Sequence, residues 1–243
     1  KIMTIEVCVS SLLSIKNAAA AGADRVELCS ALDLGGLTPS HGLIKKAIDL
    51  NLLPIHCLIR PRQGHFFYSK DEIQLIEQNI EYAQSAGCHG IVIGAHDKDF
   101  NLDISLLRKW KSLAGSMYTT FHRAFDVLIN PEKALNQLID LEFDCVLSSG
   151  QNEKAIDGIN KLKYFNKKFG SKINLMPGSG VGIDNIKIFK KAGFSFIHLS
   201  GGKSLAPLII PKKVNNKLSF LNQPIRGANF DTLSQVVKNF KSN

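Results

Sequence analysis

No stretch of this chain approaches the ~18 consecutive apolar residues that a membrane-crossing helix requires, so no membrane partner is expected. Nor does the N-terminal run, Lys1 to Cys8, carry the apolar stretch and small-residue cleavage site of a secretory leader. Cysteine is scarce and poorly arranged for bridging. The five cysteines, Cys8, Cys29, Cys57, Cys88 and Cys145, are odd in number and widely spaced, with no C-x-x-C pair. That indicates neither a disulfide framework nor a zinc ribbon, and points to reduced thiols in a cytoplasmic compartment. Also missing is the G-x-G-x-x-G turn that a dinucleotide-binding sheet places after its first strand, since Cys8 is followed by Val9-Ser10-Ser11-Leu12. No organic cofactor is indicated. Acidic residues thin out late in the chain, so the net charge of +9 arises wholly after residue 150. The lysines responsible, among them Lys161, Lys163, Lys167, Lys168, Lys187, Lys190 and Lys191, fall where outer helices are expected. Without aromatic residues interleaved among them, they read as solvated faces, and no nucleic-acid partner is expected.

What is present is regular. The chain has 243 residues, 44% hydrophobic and 21% charged, enough for a full core and the usual size of one α/β barrel. Short apolar runs recur about every 30 residues, the length of one strand-plus-helix unit. They are Met3–Cys8, Arg25–Cys29, Pro54–Ile59, Gly90–Gly94, Tyr118–His122, Cys145–Ser149, Ile173–Pro177 and Phe196–Ser200. Helix ends are marked by Ala21-Gly22, Ala86-Gly87 and Ala192-Gly193, where glycine suits a left-handed terminal residue. Helix starts are marked by the Ser69-x-x-Glu72 capping box, and by Asn130-Pro131 and Thr38-Pro39, each with proline as the first helical residue. Eight such units predict a single domain over residues 1–243, a (β/α)8 barrel of the TIM type.

In a barrel of this kind, polar groups at the C-terminal strand ends read as functional. The first strand ends in Glu6 and Cys8 and the second in Glu27 and Cys29, each pair on one strand face. Arg60-Pro61-Arg62 closes the third, His122-Arg123 with Asp126 the fifth, and His198 with Ser200 the eighth. Two roles are open for Glu6 and Glu27: ion pairs with Arg60 and Arg123 inside the barrel, or chemistry. The cysteines are either small apolar fillers or chemical groups, and His56, mid-strand, reads as structural. Glu27, His122 and Asp126 are the catalytic candidates. Arg60, Arg62 and Arg123, with the glycine turns at Gly178, Gly180 and Gly201, are candidates for binding an anion or a phosphate. No reaction class is indicated.

Several of these runs resemble the copper homeostasis protein CutC family. They are Ile5-Glu6-Val7-Cys8, Gly22 through Cys29, Gly35-Gly36-Leu37-Thr38-Pro39-Ser40, Ile59-Arg60-Pro61-Arg62, Thr120 through Asp126, and Leu147-Ser148-Ser149-Gly150-Gln151. They keep the family's order and spacing from residue 5 to about residue 200. The resemblance implies a (β/α)8-like barrel, a cytoplasmic location, a homodimer or homotetramer, and copper handling through Cu(I) bound by cysteines, which maps onto Cys8 and Cys29. Cu(I) is soft, prefers thiolates, and is held near-linearly by two sulfurs. The chain departs from the family at Gln63-Gly64-His65-Phe66, Leu34, Asp99-Phe100 and Ser200-Gly201, losing two acids near the mouth and gaining His65. After Lys203 a basic, loosely patterned stretch precedes a helical run over Thr232–Phe240. Copper homeostasis is the expected function. The alternative is a barrel enzyme acting on a small anionic or phosphorylated metabolite, with Cys8 and Cys29 as incidental thiols.

Overall fold

The computed structural model describes residues 3–206, 208–215 and 217–242, so Lys1 and Ile2 of the N-terminal run lie outside the described residues. Eight parallel strands alternate with helices. These are β1 (Thr4–Val9), β2 (Arg25–Leu28), β3 (Ile55–Leu58), β4 (Gly90–Ile93), β5 (Tyr118–Phe121), β6 (Cys145–Ser148), β7 (Asn174–Pro177) and β8 (Phe196–Leu199). The intervening helices are α1 (Leu12–Ala20), α2 (His41–Leu50), α3 (Lys70–Ser85), α4 (Ile104–Ala114), α5 (Pro131–Asp140), α6 (Ile159–Phe169) and α7 (Ile186–Lys191). Ladders run from β7 down to β1 and on to β8. β7 and β8 pack side by side to close the barrel, with no ladder between them among the described residues. The protein is a TIM-type (β/α)8 barrel.

The two faces of each strand do different work. On β1, Ile5, Val7 and Val9 are buried and join the large apolar cluster under the helices, as Val26 and Leu28 do on β2. The alternate residues form the interior, which is not uniformly aliphatic. One apolar group contains Cys145, Leu147 and Met176, with Tyr118 and Phe196 against it. A second contains Cys29, Leu58 and Val92, with Cys8 and Leu32 against it. Glu6, Arg25, Glu27, His56 and His198 are buried with them. A charged group in that position costs several kcal/mol unless paired, and the pairing is what shapes the site.

The expected caps form at Ser69, where both halves of the capping box are made, and at Asn130 with Pro131 following. Gly22, Gly87 and Gly193 all take the left-handed conformation at helix ends. Thr38-Pro39 departs from expectation. The cap of α2 is Ser40 and the helix begins at His41. Thr38 is used elsewhere, its hydroxyl accepting from Arg60 N at 2.8 Å and its own N–H donating to Arg60 O at 2.9 Å. It pins the end of β3 instead of starting a helix.

Beyond β8 the chain forms an antiparallel pair, β9 (Gly202–Ser204) and β10 (Arg226–Ala228), before α8 (Phe230–Lys241). Leu233, Val236 and Phe240 of α8 are buried, and the helix packs on α1 and α7 as the eighth helix of the ring. Lys241 Nζ reaches Asp24 Oδ1 at 2.7 Å and ties that helix to the start of β2. Six of the seven lysines singled out on α6 and α7 are exposed and Lys190 is half-buried, as solvated faces should be. Among the described residues no helix is long and apolar enough to cross a membrane.

Candidate functional site

The barrel opens at its C-terminal end into a cleft of about 470 Å³. Cys8, Glu27, Cys29, Arg60, His122, Arg123, Asp126, Gly180 and His198 all line it. Register decides which of them meet. β1 pairs with β2 so that Cys8 lies opposite Glu27, and with β8 so that Glu6 lies opposite His198. Cys29 is two residues beyond Glu27, one step nearer the mouth. As a result a sulfur of Cys8, an oxygen of Glu27 and a ring nitrogen of His198 all lie within 4.8 Å of one another.

Glu6 organises this cluster from below. It is fully buried and accepts from Arg25 Nε at 2.6 Å, while its other oxygen lies 2.8 Å from His198 Nδ1. Ion pairs with Arg60 and Arg123, one of the two roles left open by the sequence, do not form. Arg25 lies directly opposite Glu6 on the neighbouring strand and takes the place assigned to them. Burial alone would push the Glu6 carboxyl up, but Arg25, His198 and His56 outweigh it and hold it well below the usual range. Burial raises Glu27 to about 7, against the pull of His198 and with a push from Glu6. Burial would likewise deprotonate His198, yet Cys8, Glu6 and Glu27 together hold its pKa well above the ordinary value. His56, under the same burial, is lowered to about 4. With Nδ1–H committed to Glu6, the Nε2 atom of His198 faces Glu27 Oε2 at 3.5 Å. A carboxylate behind a histidine in this way is the usual outer support of a metal ligand.

Cys29 sits differently. Its thiol packs in the apolar group with Leu58 and Val92 and donates to Val9 O at 3.4 Å. Burial, then Glu27 and Cys8, raise its pKa well above that of a free thiol. It does not belong to the three-donor cluster.

The other candidates divide sharply. His122 lines the cleft, and burial followed by the nearby charge of Arg60 lowers its pKa to about 3. The ring is therefore expected to stay neutral on acidification until the pH nears that value, read by its ring nitrogen shifts. Because the unfolded chain takes up this proton near ~6.5, acid below that pH favours unfolding at this residue. Protonation of His122 near ~6.5 in the folded protein would contradict this. Asp126 is no free base. Its oxygens accept from Ser148 Oγ, Ser149 N and Oγ, Gln151 N and Arg123 Nε at 2.6–3.1 Å, so it fixes the turn after β6. Arg123 is correspondingly neutralised.

Three anion-binding candidates lie outside the cleft lining. Arg62 folds back to Glu72 at 2.5 Å and to the carbonyls of its own loop. Gly178 is a packing position, where a Cβ would lie 2.5 Å from Leu147 Cδ1. Gly201, at φ +54°, faces α8, where a Cβ would lie 2.3 Å from Leu233 Cδ2. Gly201→Ala is expected to lower stability by about 1–3 kcal/mol through overpacking, seen as a lower urea midpoint. Unchanged stability would contradict this packing role. His65 is exposed and also outside the lining.

Comparison with known proteins places the chain. The CutC family model matches residues 3–203. The chain belongs to the CutC family. Family protein CutC of Pasteurella multocida is 40% identical over 200 residues, covering 82% of each chain. That of Aliivibrio fischeri is 41% identical over 206 residues, covering 84% of this chain and 83% of the other. Among solved structures, a CutC of Streptococcus agalactiae superposes with a TM-score of 0.78 at 28% identity, covering 82% of this chain and 99% of that one. A thiamine phosphate pyrophosphorylase from Pyrococcus furiosus gives 0.61 at 10% identity, covering 98% and 96%, a likeness of fold alone. The CutC match contains Cys8, Glu27 and His198 and ends at β9, before α8.

Cys8, Glu27 and His122, singled out from the sequence, line one cleft. Sequence reasoning passed over His198 as a donor and Arg25 as the partner of Glu6. The available signal was the alternation along Phe196, His198 and Ser200, which puts His198 inside the barrel.

Proposed function

We propose that this CutC family member binds one Cu(I) ion on Cys8 and His198, with Glu27 beside them, and serves copper handling in a reducing, cytoplasmic compartment. The observation that carries this reading is the three-donor cluster itself. Donors that bind one ion at 2.0–2.3 Å can lie at most ~4.6 Å apart, close to the 4.8 Å limit within which these three atoms fall. A thiolate and an imidazole suit soft Cu(I), and the Glu6 carboxylate keeps Nδ1–H of His198, so that Nε2 is the atom that gives up its proton to the ion. The five free cysteines agree with a reducing compartment. The related Streptococcus agalactiae protein is described as a candidate copper homeostasis protein, which points the same way.

Against the two-thiol site implied by the sequence resemblance, the register and the apolar setting of Cys29 favour the mixed sulfur and nitrogen donor set. Cys29 remains in the cleft as a nearby thiol. Anaerobic titration with Cu(I) against a competing chelator tests the proposal. One ion per chain is expected, with affinity that falls on acidification. Failure to compete, or a preference for Zn(II) over Cu(I), would contradict the copper reading.

A further inference from the structure

Arg60 and His122 carry two buried N–H groups that no atom among the described residues accepts. Arg60 is 8% exposed. Its Nη1 donates to Leu34 O and Gly36 O, and its Nη2 to Gly64 O, each at 3.1 Å. All three acceptors are neutral carbonyls, and Nε–H has none. The other arginines around the barrel interior and mouth have carboxylates: Arg25 has Glu6, Arg62 has Glu72 and Arg123 has Asp126. Among the described residues no carboxylate forms an ion pair with Arg60.

His122 is 4% exposed. Ala124 N donates to its Nδ1 at 3.1 Å, so Nδ1 carries the lone pair and the neutral ring holds its proton on Nε2. Nε2 is buried without a partner. Phe66 joins the two residues into one wall. Its ring lies 5.1 Å from Arg60 Cζ and 4.7 Å from the His122 ring. Both side chains line the cleft.

A buried cation without a counter-charge and two donors without acceptors are each costly. A ligand bringing negatively charged oxygens would supply both the missing counter-charge and the missing acceptors. We propose that the cleft also binds a small organic anion, whose oxygens accept hydrogen bonds from Arg60 Nε and His122 Nε2. The volume of about 470 Å³ suits a small metabolite. Leu32, Leu34, Leu58 and Val181 offer an apolar wall to its carbon body. One uncompensated positive charge favours a carboxylate monoanion over a phosphate dianion.

The site is independent of the copper donors and is tested in metal-free protein with chelator present, so either reading can fail alone. Butyrate and inorganic phosphate are titrated by calorimetry for wild type and variants alike, and in wild type the His122 ring nitrogens are also followed by NMR. Butyrate is expected to give a saturable shift at millimolar concentration. His122→Asn keeps an acceptor for Ala124 N but lacks the Nε2–H, and should weaken binding roughly tenfold or more. Arg60→Met should abolish it. Should that variant fail to fold, Arg60→Lys, which keeps the charge and lacks the Nε–H, should also weaken it. Phosphate binding more tightly than butyrate would assign the oxygens to a phosphoryl group. Binding of neither anion, or wild-type binding by His122→Asn, would overturn the proposal.

Discussion

Glu6→Gln is expected to cost about 3–5 kcal/mol of stability, the penalty for breaking a buried ion pair and leaving one charge behind. The reason is the geometry beneath the cleft. Glu6 is fully buried, takes the 2.6 Å hydrogen bond from Arg25, and holds His198 at 2.8 Å. Arg25 has no other carboxylate among the described residues, and turns otherwise to Met176 Sδ at 3.7 Å and to the Tyr118 ring. Urea denaturation reads the loss as a lower midpoint at constant slope. Pairing Glu6→Gln with Arg25→Met should recover part of the loss, because neither charge is then orphaned. Acid should mimic the single variant. Since Glu6 is held below the usual carboxylate range, its contribution is present above the unfolded value near ~4.3 and is lost as the pH falls below it. His198 acts in the opposite sense: its raised pKa adds stability below ~6.5 that disappears as the pH rises through the folded value. A cost below about 1 kcal/mol for Glu6→Gln would mean that the pair is hydrated and not the keystone described here.

Cys8→Ser is expected to weaken Cu(I) binding by more than about 100-fold, and Cys29→Ser by less than about tenfold. Changes in the support around a metal cost 10–100-fold, so removal of the one soft donor should exceed that range. Cys29 lies outside the donor cluster with its thiol turned to Val9 O, so its replacement should act only through packing around Leu58 and Val92. Equal losses in the two variants would restore the two-thiol site. Glu27→Gln belongs between them, because it removes charge beside the ion while leaving sulfur and nitrogen in place.

The barrel was legible because parallel strands covered on both faces read as short apolar runs, and helix ends declare themselves in sequence. All eight strands fall within a residue or two of the expected runs, down to the glycines at the ends of α1, α3 and α7. Thr38-Pro39 misled because a proline before a helix marks an extended approach as readily as a first turn. The site was legible in membership but not in partnership. Cys8, Glu27, Arg60 and His122 could be placed at the mouth by strand position alone. That Cys8 lies opposite Glu27 in register, and that Glu6 takes Arg25, depends on the stagger between neighbouring strands, which local pattern does not specify. Arg62 and Arg123 look identical to Arg60 in sequence, and only the fold shows that Glu72 and Asp126 neutralise them. Asp126 stood among the catalytic candidates because its motif is polar, whereas its oxygens serve the turn at Ser148–Gln151.

X-ray absorption at the copper edge of the protein loaded with one Cu(I) per chain tests the central claim most directly, because it separates sulfur from nitrogen and oxygen in the ligand shell. A shell of one sulfur with a nitrogen or oxygen partner, unchanged in Cys29→Ser, is the predicted result. A shell of two sulfurs that loses one in Cys29→Ser would contradict the assignment of His198 and return the ion to the cysteine pair.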